Sequence, residues 1–366
     1  MADAYVYVPA NRLMDFAIDA LAAMGVPRAD AKIVAEVLLA ADLYGVRSHG
    51  LAHLKMYFGR IRSGLQQPVT NWKLVRETLT TAVMDGGNGM GMVAAYHAMK
   101  IAIDKARQNG LGAVAVRNST HYGIAGYYTR MAAKEGMVGM SYTNAHPSIA
   151  PTFGVKPMLG TNPIAFCAPT DEEFPFAFDA ATSIAPRGKI EIAARTGRSI
   201  PKGWVIKSDG SLPTDSSQLL EEMDKDNAAL LPLGGSGELM GGHKGYGLAT
   251  MVEIFSAAFQ DGAFLSELHD TDKSGRLHPS RVGHFFLAMD IDHFLPLDHF
   301  RKTAGGIMRE LRESATNDKR IYTAGEKAYE SERQMRQGGV KIGPNLQRAL
   351  KTIRAELNLT GHDLGF

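Results

Sequence analysis

Apolar residues recur at three- and four-residue steps through the first sixty positions. Leu13, Phe16, Ala17, Ala20, Leu21 and Met24 make one run, stopped by Gly25. Ile33, Val34, Val37, Leu38 and Ala41 make a second, ended by Gly45; Leu51, Leu54, Tyr57, Phe58 and Ile61 make a third before Gly64. A single apolar stripe at this spacing is what a helix resting on a core requires, so the pattern predicts three amphipathic helices. Near residue 75 the period changes. Strands are expected in LTTAVMDGG, LGAVAVRNS, MVGMSYTNA, PIAFCAP and FPFAFDAAT, and late in the chain in HFFLAMDID. Helices are expected in AAYHAMKIAIDKARQNG, AGYYTRMAAKEG and GGHKGYGLATMVEIFSAAFQDG. Strand–helix alternation predicts a layered α/β sheet. The stretch 195–235 reads as loop-rich. The segment from about 300 onward reads as charged helix, broken near Gly325 and Gly338–Gly339. The implied division is a helical segment 1–75, an α/β domain 76–305 and a C-terminal helical segment 306–366 that packs back on the first.

Composition narrows the possibilities. The 366 residues are 45% hydrophobic and 21% charged, a globular balance, and the formal net charge is only +2. No block of like charges recommends nucleic acid or an anionic membrane as partner. No apolar run approaches the ~20 residues that span a bilayer, and the N-terminus lacks a signal-peptide pattern. The one cysteine, Cys167, sits in an apolar run and reads as a small buried hydrophobe. A cytoplasmic setting is expected.

Several stretches could carry chemistry. Gly89, Gly91 and the following helix approach the dinucleotide fingerprint, with Arg117 at the next strand end where a 2′-phosphate would be read. A turn needed only for packing explains the same glycines. Gly237–Lys244 resembles a phosphate loop, but His243 precedes the lysine and Gly245 stands where a magnesium-binding hydroxyl is required, so a triphosphatase is rejected. His49 and His53 are four residues apart and share a helix face, yet no third ligand follows at zinc spacing, and no metal is expected. Ser48–His49–Gly50 and His121–Tyr122–Gly123 place histidines at turns, and His121 follows a strand end, where α/β sheets bind ligands. An imidazole with unperturbed pKa ~6.5 suits proton transfer near neutrality.

Taken in order, RSHGL (47–51), STHYGIAGYY (119–128), GTNPIAFCAP (160–169), FDAATS (178–183) with RGKI (187–190), and GGHKGYGL (241–248) resemble the type-2 malate/L-lactate dehydrogenase family, which also holds ureidoglycolate, sulfolactate and cyclic imino-acid reductase relatives. The resemblance runs from about residue 10 to about residue 345. It implies a three-layer α/β/α domain with a mixed, non-Rossmann sheet, a helical N-terminal substrate domain, and a homodimer. It implies NAD or NADP as cofactor and a small 2-hydroxy acid or 2-oxo acid as substrate, malate/oxaloacetate or lactate/pyruvate foremost.

Residue by residue, the resemblance puts Ser48 and His49 in a proton relay and His121 as general base, slightly ahead of His49 as proton acceptor. Tyr122, Gly123, Ile124 and Ala125 match a cofactor-binding turn, with His121 beside it. Asp179, Ala180 and Ala181 match a second cofactor segment, Lys244 a third contact, and Gly325 with Glu326 a late loop over the cofactor. Arg47, His53, Thr161, Asn162 and Lys189 fall in substrate-binding stretches. One departure matters. Many members carry an arginine four residues after the histidine of the SHG motif, and here that residue is His53. Either Arg47 or another cation then holds the substrate carboxylate, or substrate preference differs. Lys189 favours a 2-oxo acid over an imino acid. Competing expectations are a Rossmann-type NADP oxidoreductase built on residues 89–94 and Arg117, a cyclic imino-acid reductase, and a catalytically silent nucleotide-binding dimer.

Overall fold

The computed structural model describes residues 5–272 and 274–366. The chain opens with β1 (Val6–Val8), α1 (Ala10–Ala23) and α2 (Arg28–Leu43), passes through 3-10 turns at Arg47–His49 and Leu51–His53, and enters α3 (Leu54–Arg62). Next come β2 (Lys73–Glu77), β3 (Thr81–Asp85), α4 (Gly91–Asn109), β4 (Leu111–Ser119), α5 (Ala125–Lys134), β5 (Met137–Thr143), β6 (Ile164–Ala168) and β7 (Phe176–Ala180). Then follow α6 (Arg187–Thr196), β8 (Val205–Lys207), α7 (Leu219–Asp224), β9 (Ala228–Leu230), α8 (Gly242–Ala257), β10 (Val282–Asp290), α9 (Leu297–Glu313), α10 (Glu326–Gly338), β11 (Val340–Ile342) and α11 (Pro344–Glu356).

Seven strands form the main sheet in the order β2-β3-β4-β10-β5-β6-β7. Only β3 and β4 are parallel, with α4 as their crossover; the other five pairings are antiparallel. The late strand β10 lies at the centre because it is apolar on both faces, as a strand covered on both sides must be. Phe286 packs into the large core with Val114, Val116, Met99 and Ala102. Its neighbour Phe285 points the other way, to Ala115, Tyr142, Val252 and the partly buried Phe255. Helices α4 and α5 therefore cover one face and α8 the other, which is the expected three-layer mixed sheet.

The Rossmann expectation fails here. A Rossmann sheet is parallel, and this one has a single parallel pair. The glycine turn is also filled: a Cβ at Gly89 would collide with Thr70, and one at Gly91 with the Thr120 carbonyl. Arg117 is held by Asp85 at 3.1 Å and the Gln260 carbonyl at 3.3 Å, so it does not wait for a phosphate.

The large core is continuous from the N-terminal helices (Leu13, Phe16, Leu38, Tyr57) through the sheet to Leu350, Ile353 and Leu364 near the C-terminus. Strand β11 pairs with β1, Val8 opposite Val340 and Val6 opposite Ile342. The third N-terminal run differs from its expectation. Gly50 is extended, which interrupts the helix, and α3 begins only at Leu54. Among the described residues no helix is long and apolar enough to cross a membrane.

Candidate active site

The break at Gly50 is what assembles the site. The buried Asp42 carboxylate of α2 accepts the Leu51 N–H at 2.8 Å, and a Cβ at residue 50 would strike that carboxylate. Pinned this way, the two 3-10 turns bring His49 and His53 onto one side, their rings stacked with centroids 5.7 Å apart and 15° between planes. From the end of β4, His121 joins them. Its ring lies 5.5 Å from His49 and 5.1 Å from His53, at 27° and 24°. Three near-parallel imidazoles thus form one cluster where the 3-10 turns meet the end of β4. Tyr57, fully buried on α3, reaches His121 Nδ1 with its hydroxyl at 2.7 Å. The Ser48 hydroxyl lies 2.9 Å from His49 Nδ1.

Burial dominates the electrostatics. It lowers the His49 pKa; for His53 burial, aided by the charge His49 would carry, brings the pKa down to about 4. His121 is held well below the usual imidazole range by burial first and then by His53, His49, His284 and Arg60. The cluster is uncharged near neutrality, the state from which an imidazole can exchange a proton with a substrate oxygen. Burial moves the Tyr57 phenol the other way, so it stays protonated and donates. One turn along α3, Arg60 makes a bidentate pair with Asp270 at 2.7 and 3.0 Å and reaches Ser280 at 3.3 Å. Among the described residues, no group of three His, Cys, Asp or Glu is arranged to hold a metal ion.

Beneath His121 the structure is rigid. Tyr122 stacks on the buried His284 of β10 at 4.4 Å and 4°, and its hydroxyl meets Ser141 at 3.2 Å. His284 is itself wedged between Thr143 and Ser119, each at 2.8 Å, and burial lowers its pKa to about 3. Tyr128 donates to the Tyr122 carbonyl. Gly123 turns the chain at φ +78°, where a side chain would also press on Val37. Ile124 caps α5 with extended backbone, Ala125 is its first residue, and the Gly126 N–H donates to Asp179 on β7 at 2.7 Å. Asp179 to Ala181 therefore flank the start of the helix that His121–Ala125 lead into.

The other expected residues lie apart from the imidazoles. Asn162 is buried with φ +38° and donates to the Ala249 carbonyl and Glu253; Thr161 offers its carbonyl to Thr182. Both brace the β6 entry, and neither contacts the histidine cluster. Lys189 is exposed on α6, its ammonium 5.6 Å from the Trp204 ring. Arg47 is exposed beside the cluster. Lys244 lies in the first turn of α8, across the sheet from α5, in a cleft of about 500 Å³ lined by Gly234, Glu238, Gly241 and Leu248 among others. No acid is ion-paired with it among the described residues, so a helix N-terminus and a lysine can meet an anionic group there. Gly325, at φ +99°, precedes α10 against the start of β7, where Ala177 N–H donates to the Ala324 carbonyl at 3.0 Å. Glu326 turns inward to Arg320 and accepts the Thr323 N–H at 3.1 Å, which shapes the loop. The residues that the sequence did not mark are Tyr57, Asp42, His284 and the Arg60–Asp270 pair. Only Tyr57 had a signal, a phenol one turn after His53.

Comparison with known proteins gives the family. The malate/L-lactate dehydrogenase family model matches residues 8–351, and the chain belongs to that family. It is thus a dehydrogenase of hydroxy acids, a class that works with a nicotinamide cofactor. The chain is 43% identical to malate dehydrogenase of Pyrococcus horikoshii over 359 residues, 98% of this chain and 97% of that one. It is 34% identical to malate/(S)-sulfolactate dehydrogenase of Methanothermus fervidus, covering 93% and 95%. The crystal structure of malate dehydrogenase from Entamoeba histolytica superposes with a TM-score of 0.94 at 41% identity, over 99% of this chain and 100% of that one. Further relatives are named for different nucleotides. Ureidoglycolate dehydrogenase of Escherichia coli (30% identical, 89% of each chain) carries NAD(+) in its name, and (2R)-3-sulfolactate dehydrogenase of Chromohalobacter salexigens (34%, 76% and 79%) carries NADP(+).

Proposed function

We propose that this chain interconverts malate and oxaloacetate, with lactate/pyruvate as the second substrate pair, using NAD or NADP. The observation that carries the reading is the neutral imidazole cluster of His49, His53 and His121, set beside a helix-start turn in a chain so similar to malate dehydrogenases. The chemistry a bound nicotinamide would supply is the hydride exchanged at C2 between the 2-oxo and the 2-hydroxy acid. His121 exchanges the hydroxyl proton, and His49, oriented by Ser48, is its partner or rival. Tyr122 to Ala125, Asp179 to Ala181, Lys244, Gly325 and Glu326 hold the cofactor. Arg47, His53, Thr161, Asn162 and Lys189 remain the residues proposed on the substrate side, with His53 the one that the geometry favours.

The helical segment 1–75 together with 306–366 forms the substrate-side cover over the 76–305 cofactor domain. Helix α8 supports a homodimer. Its outer face leaves Ile254 54% exposed, and with Phe264, 51% exposed just beyond the helix, it lines a groove of about 520 Å³. A face of that kind is normally covered, and a second copy of the chain covers it here. The buried Cys167, its thiol pushed up to about 12 by burial, suits a reducing compartment such as the cytoplasm. The deciding experiment is a panel of 2-oxo acids assayed with NADH and with NADPH separately. Oxaloacetate is expected to be reduced fastest, and no oxidation of either nucleotide with any 2-oxo acid sinks the reading.

A further inference from the structure

The chemistry of the proposed substrate poses a problem of charge. A 2-oxo acid brings at least one carboxylate into the pocket, and a carboxylate taken out of water needs a positive partner. The permanent cation whose charge acts on His121 is Arg60, and its guanidinium is already engaged twice by Asp270 and once by Ser280. Arg47 is exposed, and its charge acts on Asp42. What the pocket itself presents is three imidazoles within 5.1–5.7 Å of one another.

These three are not equivalent. His49 Nδ1 faces the Ser48 hydroxyl, and His121 Nδ1 faces Tyr57. Neither ring nitrogen of His53 has a hydrogen-bond partner among the described residues, although the ring is half-buried between two others. A half-enclosed imidazole with both nitrogens free is built to acquire a partner.

We infer that the cluster is a proton-linked carboxylate site, in which the substrate anion binds together with a proton that His53 carries. The inference rests on the functional reading above and deepens it by naming how the substrate is recognised. The titratable and charged groups around His53 are His49, Tyr57 and Arg60 on its own segment and α3, Asp42 and Arg47 before it, His121 after β4 and His284 beneath. Burial first, and then the neighbouring His49, oppose a positive charge on His53, which keeps the empty site neutral. A carboxylate within ~4–6 Å reverses that balance and raises an imidazole's pKa by about one to three pH units. From a free value of about 4, protonation then moves into the range of about 5 to 7.

Linkage sets the sign. Between the free and the bound pKa the complex holds one proton more than the empty site, so affinity falls about tenfold per pH unit as pH rises. Above the bound pKa affinity is weak and flat. The ligand is therefore selected as an anion that can tolerate a shared proton, and binding strengthens in mild acid.

The test uses tartronate, a 2-hydroxy dicarboxylate already at the reduced level, titrated calorimetrically at pH 6 into enzyme saturated with the reduced nucleotide, so that no hydride acceptor is present and the ligand binds without turnover. Running the titration in phosphate and in Bis-Tris gives the proton count from the difference in heat. About half a proton taken up per site is expected for a bound pKa near 6, approaching one for a bound pKa near 7, with Kd rising roughly three- to eightfold between pH 5.5 and 6.5. His53→Arg is expected to bind tartronate with no proton uptake and little pH dependence, and His53→Gln to bind it at least tenfold more weakly with no uptake. Binding without uptake in the wild type, or uptake that persists in His53→Arg, overturns the inference while turnover of 2-oxo acids leaves the functional reading standing. Failure to bind or turn over any 2-hydroxy or 2-oxo acid overturns both.

Discussion

The Tyr57 hydroxyl lies 2.7 Å from His121 Nδ1, and the Gly123 N–H points at the same nitrogen from 3.4 Å. A backbone N–H can only donate, and the buried phenol stays protonated, so Nδ1 is the acceptor and the ring hydrogen belongs on Nε2. His121 therefore rests in the tautomer whose Nε2–H can donate a hydrogen bond to a 2-oxo oxygen. Tyr57→Phe keeps the ring and its packing but removes the stronger of the two donors. A hydrogen bond of this kind contributes about 0.5–1.5 kcal/mol, so turnover in the reduction direction is expected to fall roughly 3- to 10-fold. Nitrogen NMR of His121 reads the tautomer independently of activity. An unchanged Nδ1 signal in Tyr57→Phe would refute the assignment.

The two histidines proposed for proton transfer are tested separately. His121→Ala and His49→Ala are each expected to lower kcat by ~100-fold or more, the usual contribution of a positioned acid–base group. Both residues are half-buried and neither belongs to the apolar core, so the variants are expected to fold. Circular dichroism and thermal melting check that. If both keep near-normal rates with 2-oxo acids, proton transfer belongs to other groups.

Much of this was readable from the chain. The 3.6-residue period located α1 and α2, and glycines marked their ends, because a helix face must be apolar and its end must leave the helical conformation. The strand–helix alternation gave β3 through β7, α4, α5 and α8. Strand order was not legible: nothing local in HFFLAMDID says that β10 inserts between β4 and β5, since that depends on partners more than a hundred residues away. β2 escaped because KLVRE lies at a sheet edge with four of its five residues exposed and so shows no buried alternation. The short α6, β8, α7 and β9 hid in a stretch rich in Gly, Pro and Ser. At the site, His49 and His121 could be marked as turn histidines, but their stacking with His53 needs the Gly50 break, and that break depends on Asp42. A buried acid nine residues upstream carries no local signature.

Asp42 makes a prediction about pH. Burial pushes its carboxyl up to about 7, while the Leu51 N–H and Arg47 pull it down. Its folded pKa lies above the ordinary value of 3.8, so between about pH 4 and 7 the folded protein holds a proton that the unfolded chain has lost. Stability attributable to this group is thus present below pH 4 and is lost as pH rises toward 7, by a total on the order of 4 kcal/mol. Asp42→Asn keeps an oxygen for the Leu51 N–H and cannot ionise. Its Tm is expected to match the wild type near pH 5 within a few degrees and to exceed it at pH 8. A variant less stable than wild type at pH 8 would mean that the charged form of Asp42 is what the 3-10 turns require.

The exposed apolar face of α8 makes the last prediction. Ile254 and Phe264 line the groove together with Met158, Leu159 and Ala257. In a monomer these side chains meet water, at about 25 cal/mol for each Å² of apolar surface left uncovered. A second copy removes that surface, and a buried charge at its centre would be left without a partner. Ile254→Asp with Phe264→Asp is therefore expected to convert a dimer to a monomer, read as a halved mass by light scattering after size exclusion. Since neither residue supports the histidine cluster, the Tyr57–His121 hydrogen bond and the His121 NMR signal should persist in that monomer. A wild-type chain that runs as a monomer at micromolar concentration would show that something other than a second copy covers α8.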